Sequence, residues 1–176
     1  MAPGWPQPRH TGPIMTDTDE PRQQLLALLD GRGAHMPFES AVADFPDAAI
    51  NAHAPKVSYT PWHLVEHLRL TQADMLEYVT NPDYRHKRWP EDFWPDAKAR
   101  ASRAEWDASV HAIGEDTAAL RALAADPGRD LYNPIPWTDG HSLFRCVRII
   151  GDHNAYHVGE FAILRQVMGS WPPDHR

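Results

Sequence analysis

Gly151-Asp152-His153-Asn154-Ala155-Tyr156-His157-Val158-Gly159-Glu160 places two histidines four residues apart inside a long apolar run. On an α-helix that spacing puts both rings on one face, one turn apart, where they can grip one metal ion. With Ile150 as origin and about 100° per residue, Leu143, Val147, Phe161, Leu164 and Met168 all fall within roughly 60° of it. His153 and His157 share that stripe, so they point with the apolar side into a core. A buried imidazole needs a partner, and two side by side need an explanation. The helix that carries them spans about 141–168, ending before Gly169 and Pro172.

Working outward, three more helices carry core-facing stripes. The first spans about 19–31, with Leu25, Leu26, Leu28 and Leu29 as its apolar face, N-cap candidates in Thr16–Asp19, and Gly31 and Gly33 as stops. The second opens at Thr60-Pro61, steps through Leu64, Leu68, Thr71, Met75 and Val79, and ends at Asn81-Pro82. The third spans about 97–125 through Trp106, Val110, Ile113, Thr117, Leu120 and Ala124, and stops at Asp126-Pro127-Gly128. No alternating apolar run reads as a strand. The fold class is all-α, a four-helix bundle, over residues 19–171.

Two connections are long. Residues 34–60 hold Pro37, Pro46 and Pro55, which allow only a short helical turn near Glu39–Asp44; such a loop is often functional. Residues 82–96 include Trp89-Pro90-Glu91-Asp92-Phe93-Trp94, whose length suggests a crossover along the bundle. This Trp-rich loop can close over a site, form a dimer contact, or pack across the bundle end. Residues 1–18 read as a disordered extension, or as residues upstream of a second start at Met15, and residues 172–176 as a tail.

Composition narrows the function. The chain has 176 residues, 42% hydrophobic and 23% charged, which suffices for one domain with a core. A formal charge of −7, with Lys and Arg scattered, argues against a nucleic-acid partner. One cysteine, Cys146, excludes an internal disulfide and suits a reducing compartment; on an apolar stripe it reads as a buried inert thiol. No run is long enough to span a membrane, and the N-terminus lacks the apolar segment of a signal peptide. A cytoplasmic protein is the expectation.

Bundle cores build metal sites from facing helices. On the second helix His67 lies about 60° from the centre of the stripe, at the core edge, and His63 about 100° from it, nearer the flank with Glu66. His67, His153 and His157 therefore make a candidate three-histidine site, with positions left for water or substrate. The plainer alternative is three core histidines hydrogen-bonded to backbone or to Asn154. Glu160, three residues after His157, can orient an imidazole, supply a fourth ligand, act as a base, or stand in solvent. Tyr156 and Asp152 read as packing and surface residues, His111 and His141 as structural or surface groups, and His10, His86 and His175 as tail or loop residues. No phosphate loop, nucleotide fingerprint or Ser/Cys nucleophile motif is present.

The run from Ser142 through His153, His157 and Glu160, closing with Arg165 and Gly169-Ser170-Trp171, resembles the DinB-like superfamily of DinB/YfiT-like candidate metalloenzymes. So does Pro61-Trp62-His63-Leu64-Val65-Glu66-His67. The resemblance extends from about Gln23 to Trp171; each motif alone is loose, but their order and spacing together are fairly specific. It implies a bundle with up-down-down-up topology, a divalent ion, often nickel or zinc, on His67, His153 and His157, and frequently a homodimer. The family position at Glu160 is commonly glutamine, so this chain departs there. Characterised relatives include metal-dependent S-transferases and isomerases that use low-molecular-weight thiols. The expected function is a metal-dependent enzyme that activates such a thiol, or water, toward a small-molecule substrate. The alternative is a non-catalytic metal-binding stress-response protein or structural dimer.

Overall fold

The computed structural model describes residues 19–173 and is all-α, with helices α1 (Asp19–Leu29), α2 (Phe38–Val42), α3 (Pro61–Thr80), α4 (Arg103–Ala125) and α5 (Leu143–Met168). A single 3₁₀ turn occupies Asp47–Ala49. Among the described residues there is no strand, only one isolated bridge between Pro134 and Ser142. The expected N-cap residues 16–18 and the N-terminal extension, with His10 and His175, lie outside the described residues.

Local chemistry sets the helix ends. Thr60 caps α3: its hydroxyl accepts from the His63 N–H, the His63 ring accepts from the Thr60 N–H, and Pro61 sits at the first position, where its missing N–H is harmless. Ser102 and Glu105 form the same reciprocal box on α4. That cap explains why α4 begins at Arg103 and not near 97 as the pattern suggested. Residues 97–102 instead run as turn and extended chain, held by Asn51, whose amide pairs with both backbone groups of Ala101. Gly169 ends α5 at φ +60°, the left-handed conformation that favours glycine.

α3 lies against α4 and α5, and α1 against the same two helices. Contacts between α3 and α4 advance together: Glu66 meets Ser109, then Gln72 meets Ile113 and Thr117, so the two helices run the same way. A parallel neighbour needs a crossover, which the long segment 81–102 supplies. Contacts between α3 and α5 run oppositely, with His67 beside His153 and Tyr78 beside His141 just before α5. Gly151 of α5 lets α1 come close, because a Cβ built there would lie 2.6 Å from Leu28 side-chain carbons.

The core falls into two clusters. One gathers Phe45, Leu64, Leu68, Trp106, Ile113 and Phe161, with the Phe45 and Trp106 rings stacked at 4.8 Å. The other gathers Leu25, Leu120, Leu143, Val147 and Ile150 at the far end, with Cys146 buried among them. Gln72 crosses the bundle as a polar group with no exposed surface. Its amide donates to the Ile113 carbonyl and the Thr117 hydroxyl, and its oxygen accepts from Asn154. Being fully paired, it escapes the penalty of burying a polar group.

Arg165 secures the first long connection. It is fully buried on α5, donates to the Ala41 and Ala43 carbonyls at 2.7 Å each and to the Ser170 carbonyl at 2.8 Å, and lies 4.0 Å from the Trp171 ring centroid. A lysine cannot reproduce this planar fork. Arg165→Lys is expected to lower unfolding free energy by about 3 kcal/mol or more, through carbonyls left unpaired. Urea denaturation checks this; a loss under about 1 kcal/mol would mean the fork contributes little.

Candidate metal centre

The α3 cap and the α5 period bring His67, His153 and His157 together. One nitrogen from each ring lies within 4.8 Å of the other two. His67 is 2% and His157 9% exposed, and His153 is half-buried. The Nε2 atoms of His67 and His153 are 3.2 Å apart, and the His67 and His157 ring centroids 4.9 Å apart.

Each ring's other nitrogen has a hydrogen-bond acceptor. His67 Nδ1–H donates to the Phe93 carbonyl at 2.7 Å, and His157 Nδ1–H donates to Glu160 Oε2 at 2.7 Å. His153 Nδ1 faces Asn154 Oδ1 at 3.5 Å, a long contact. A proton on Nδ1 leaves Nε2 as a bare acceptor. Two such acceptors 3.2 Å apart repel unless something positive lies between them. The weak hold of Asn154 lets the His153 proton move to Nε2 and bridge to His67 when no cation is present. With a cation, all three lone pairs find one partner. The donor set therefore fits a first-row divalent ion, as neutral imidazoles behind which hydrogen bonds fix tautomer and ring orientation.

The Trp-rich loop builds the site instead of merely covering the bundle end. Besides the Phe93 carbonyl it supplies Trp94, whose ring lies flat on His67 with centroids 3.9 Å apart and planes 6° apart. Trp89 at the loop's start is 68% exposed. Glu160 sits behind His157, on the far side of that ring from the meeting point. Its second oxygen accepts a hydrogen bond from the Tyr59 hydroxyl. Tyr59 had no periodic signal to find it by, because it ends the proline-broken segment 34–60. A cleft of about 420 Å³ opens beside this group, lined by Tyr59, His63, Trp94, Tyr156, His157 and Glu160 among others.

Other candidates are placed elsewhere. His63 is buried and not at the flank, because the chain near Ala99 covers that side; its Nε2–H donates to the Ala99 carbonyl and its Nδ1 serves the α3 cap. Glu66 pairs with Arg69 and accepts from Ser109. His111 is exposed beside Glu115, His86 beside Asp139, and His141 bonds Tyr78. Burial pushes the Cys146 thiol up, as suits an unreactive core cysteine. Tyr156 is 71% exposed, edge-on to His157.

Residues 31–161 match the family model of the DinB superfamily, and the chain belongs to that superfamily. Comparisons with curated proteins and with solved structures gave no significant match. Among the described residues, no helix is long and apolar enough to cross a membrane.

Burial lowers all three imidazoles. It is the largest cause for His67, brought from 6.5 to about 4, where the Phe93 carbonyl works the other way and charge on His153 adds to the lowering. It is the largest cause for His157, brought to about 3, where charge on His153 and then His67 adds to it. His153 is lowered too, chiefly by burial. Below the ordinary value of 6.5 the unfolded chain takes up protons that the folded chain refuses. Stability of the metal-free protein is therefore full above about pH 6.5 and falls as pH drops toward about 4. Burial raises Glu160, which works in the opposite sense near its own titration. Denaturation midpoints measured from pH 7.5 to 4.5 are expected to fall more steeply for the native chain than for a variant with all three histidines replaced by glutamine. Equal slopes would contradict the assignment.

Proposed function

We propose that this chain is a metal-dependent enzyme in which His67, His153 and His157 hold one divalent transition ion, nickel or zinc. The observation that carries this reading is the convergence of three ring nitrogens within 4.8 Å while the opposite nitrogens of His67 and His157 each have a close acceptor. When bound, the ion supplies a Lewis acid that lowers the pKa of a low-molecular-weight thiol or of water, making a nucleophile at neutral pH.

The chain's own residues do the rest. Among the described residues no fourth His, Cys, Asp or Glu joins the three, which favours a site with room for substrate over a closed structural one. Glu160 fixes the His157 ring through Nδ1, and Tyr59 fixes Glu160. That geometry favours an orienting role for the carboxylate over a fourth ligand. Glu160 also lines the cleft beside the three histidines. Trp94 covers one face of His67 and keeps water from that side. The occupant of the cleft is a small-molecule substrate.

A homodimer goes with this reading. Ile163 and Val167, one turn apart on α5, are 64% and 56% exposed, an apolar surface that a second copy can cover. Light scattering is expected to give twice the chain mass, and Ile163→Lys the monomer mass with metal uptake unchanged. A native monomer would remove the dimer from the account.

Dialysis against zinc or nickel followed by elemental analysis tests the centre. One ion per chain is expected, together with a rise in Tm. His153→Ala and His157→Ala are each expected to lower affinity at least about tenfold. A protein that takes up neither metal and whose Tm ignores both would overturn the proposal. Stoichiometric uptake without activity across a thiol-transfer and hydrolase screen would favour a non-catalytic metal-binding stress-response or structural role.

A further inference from the structure

The cleft beside the three histidines has a wall chemistry of its own. The Tyr59 and Trp94 rings meet at 5.8 Å and 45°, and the exposed Tyr156 ring crosses the edge of His157 at 4.9 Å. Glu160 adds a carboxylate to the same wall. None of the described residues lining the cleft is a lysine or an arginine. His63 also lines it, but both its ring nitrogens are engaged, one by the Thr60 N–H and one by the Ala99 carbonyl.

These walls do not treat all ligands alike. Aromatic faces carry the negative end of a quadrupole, and a carboxylate carries a full negative charge. The chain's formal charge of −7 adds a field of the same sign. An anion entering here gives up its water and meets no cationic side chain. A neutral molecule gains apolar contact only. A positively charged organic group gains from the rings and from Glu160 together.

We infer that the cleft binds an organic ammonium group, carried by the substrate at the rim of the three-histidine centre. That the group belongs to a substrate rests on the proposed function; the preference for a cation belongs to the cleft walls themselves. Tyr59, Trp94 and Tyr156 provide the aromatic faces, and Glu160 the counter-charge.

Titration calorimetry on the full chain, metal-free and zinc-loaded, tests this with three probes that share one ring. Benzyltrimethylammonium carries a permanent charge and no atom able to bind a metal; benzyl alcohol is neutral and benzoate anionic. In the metal-free protein the cation is expected to bind about tenfold tighter than the alcohol, and benzoate weakest. Glu160→Gln is expected to weaken the cation severalfold while leaving the alcohol unchanged. Ala97→Lys, at an exposed position on the cleft wall, is expected to weaken the cation and strengthen benzoate, without touching the buried groups. Alcohol or benzoate binding as tightly as the cation in the metal-free protein would overturn the inference, as would a cation affinity that neither substitution moves. Metal content is measured on the same samples. Cation preference without zinc uptake removes the proposed enzyme and keeps the cleft assignment; zinc uptake without cation preference does the reverse.

Discussion

Three imidazole rings meet with one nitrogen each within 4.8 Å of the other two, an arrangement in which one cation would satisfy all three lone pairs. The fold holds the three rings in that arrangement by tying the other nitrogen of His67 and of His157 to a strong acceptor.

The surrounding structure exists to keep the rings where they are. α5 supplies two of them from one face, with the period that also buries Val147, Ile150 and Phe161. α3 supplies the third, and the Gln72–Asn154 bond ties α3 to α5 beside it. The Trp-rich connection then reaches over to bond and stack on His67. The first connection does the same for Glu160 through Tyr59, and Arg165 pins that connection down from beneath. Both long loops thus reach the candidate metal centre. Their length, costly only logarithmically in closure entropy, brings the Phe93 carbonyl, Trp94 and Tyr59 to groups that the helices supply.

Much of this was legible in the sequence, for identifiable reasons. The α3 and α5 stripes are regular enough that a rotation count put His153 and His157 on the core side of α5 and His67 at the core edge of α3. Four-helix packing and the short α2 turn followed from the same periods and from proline positions. What escaped reading depends on tertiary contact. The start of α4 shifted because the Asn51–Ala101 pairing holds 97–102 out of the helix. His63 is buried because a loop, which has no period, covers the side that a helix wheel leaves open. Tyr59 and the Phe93 carbonyl carry no pattern at all, since a single hydroxyl or backbone oxygen announces nothing until the chain is folded. Glu160 was visible as a candidate, but its place behind His157 is a matter of rotamer and of Tyr59.

X-ray absorption at the zinc edge of the zinc-loaded protein addresses the central claim most directly. The account predicts a first shell of three imidazole nitrogens at about 2.0–2.1 Å, completed by light atoms that exchange with added thiol. A shell without imidazole scattering, or one closed by a fourth protein ligand and indifferent to thiol, would contradict it.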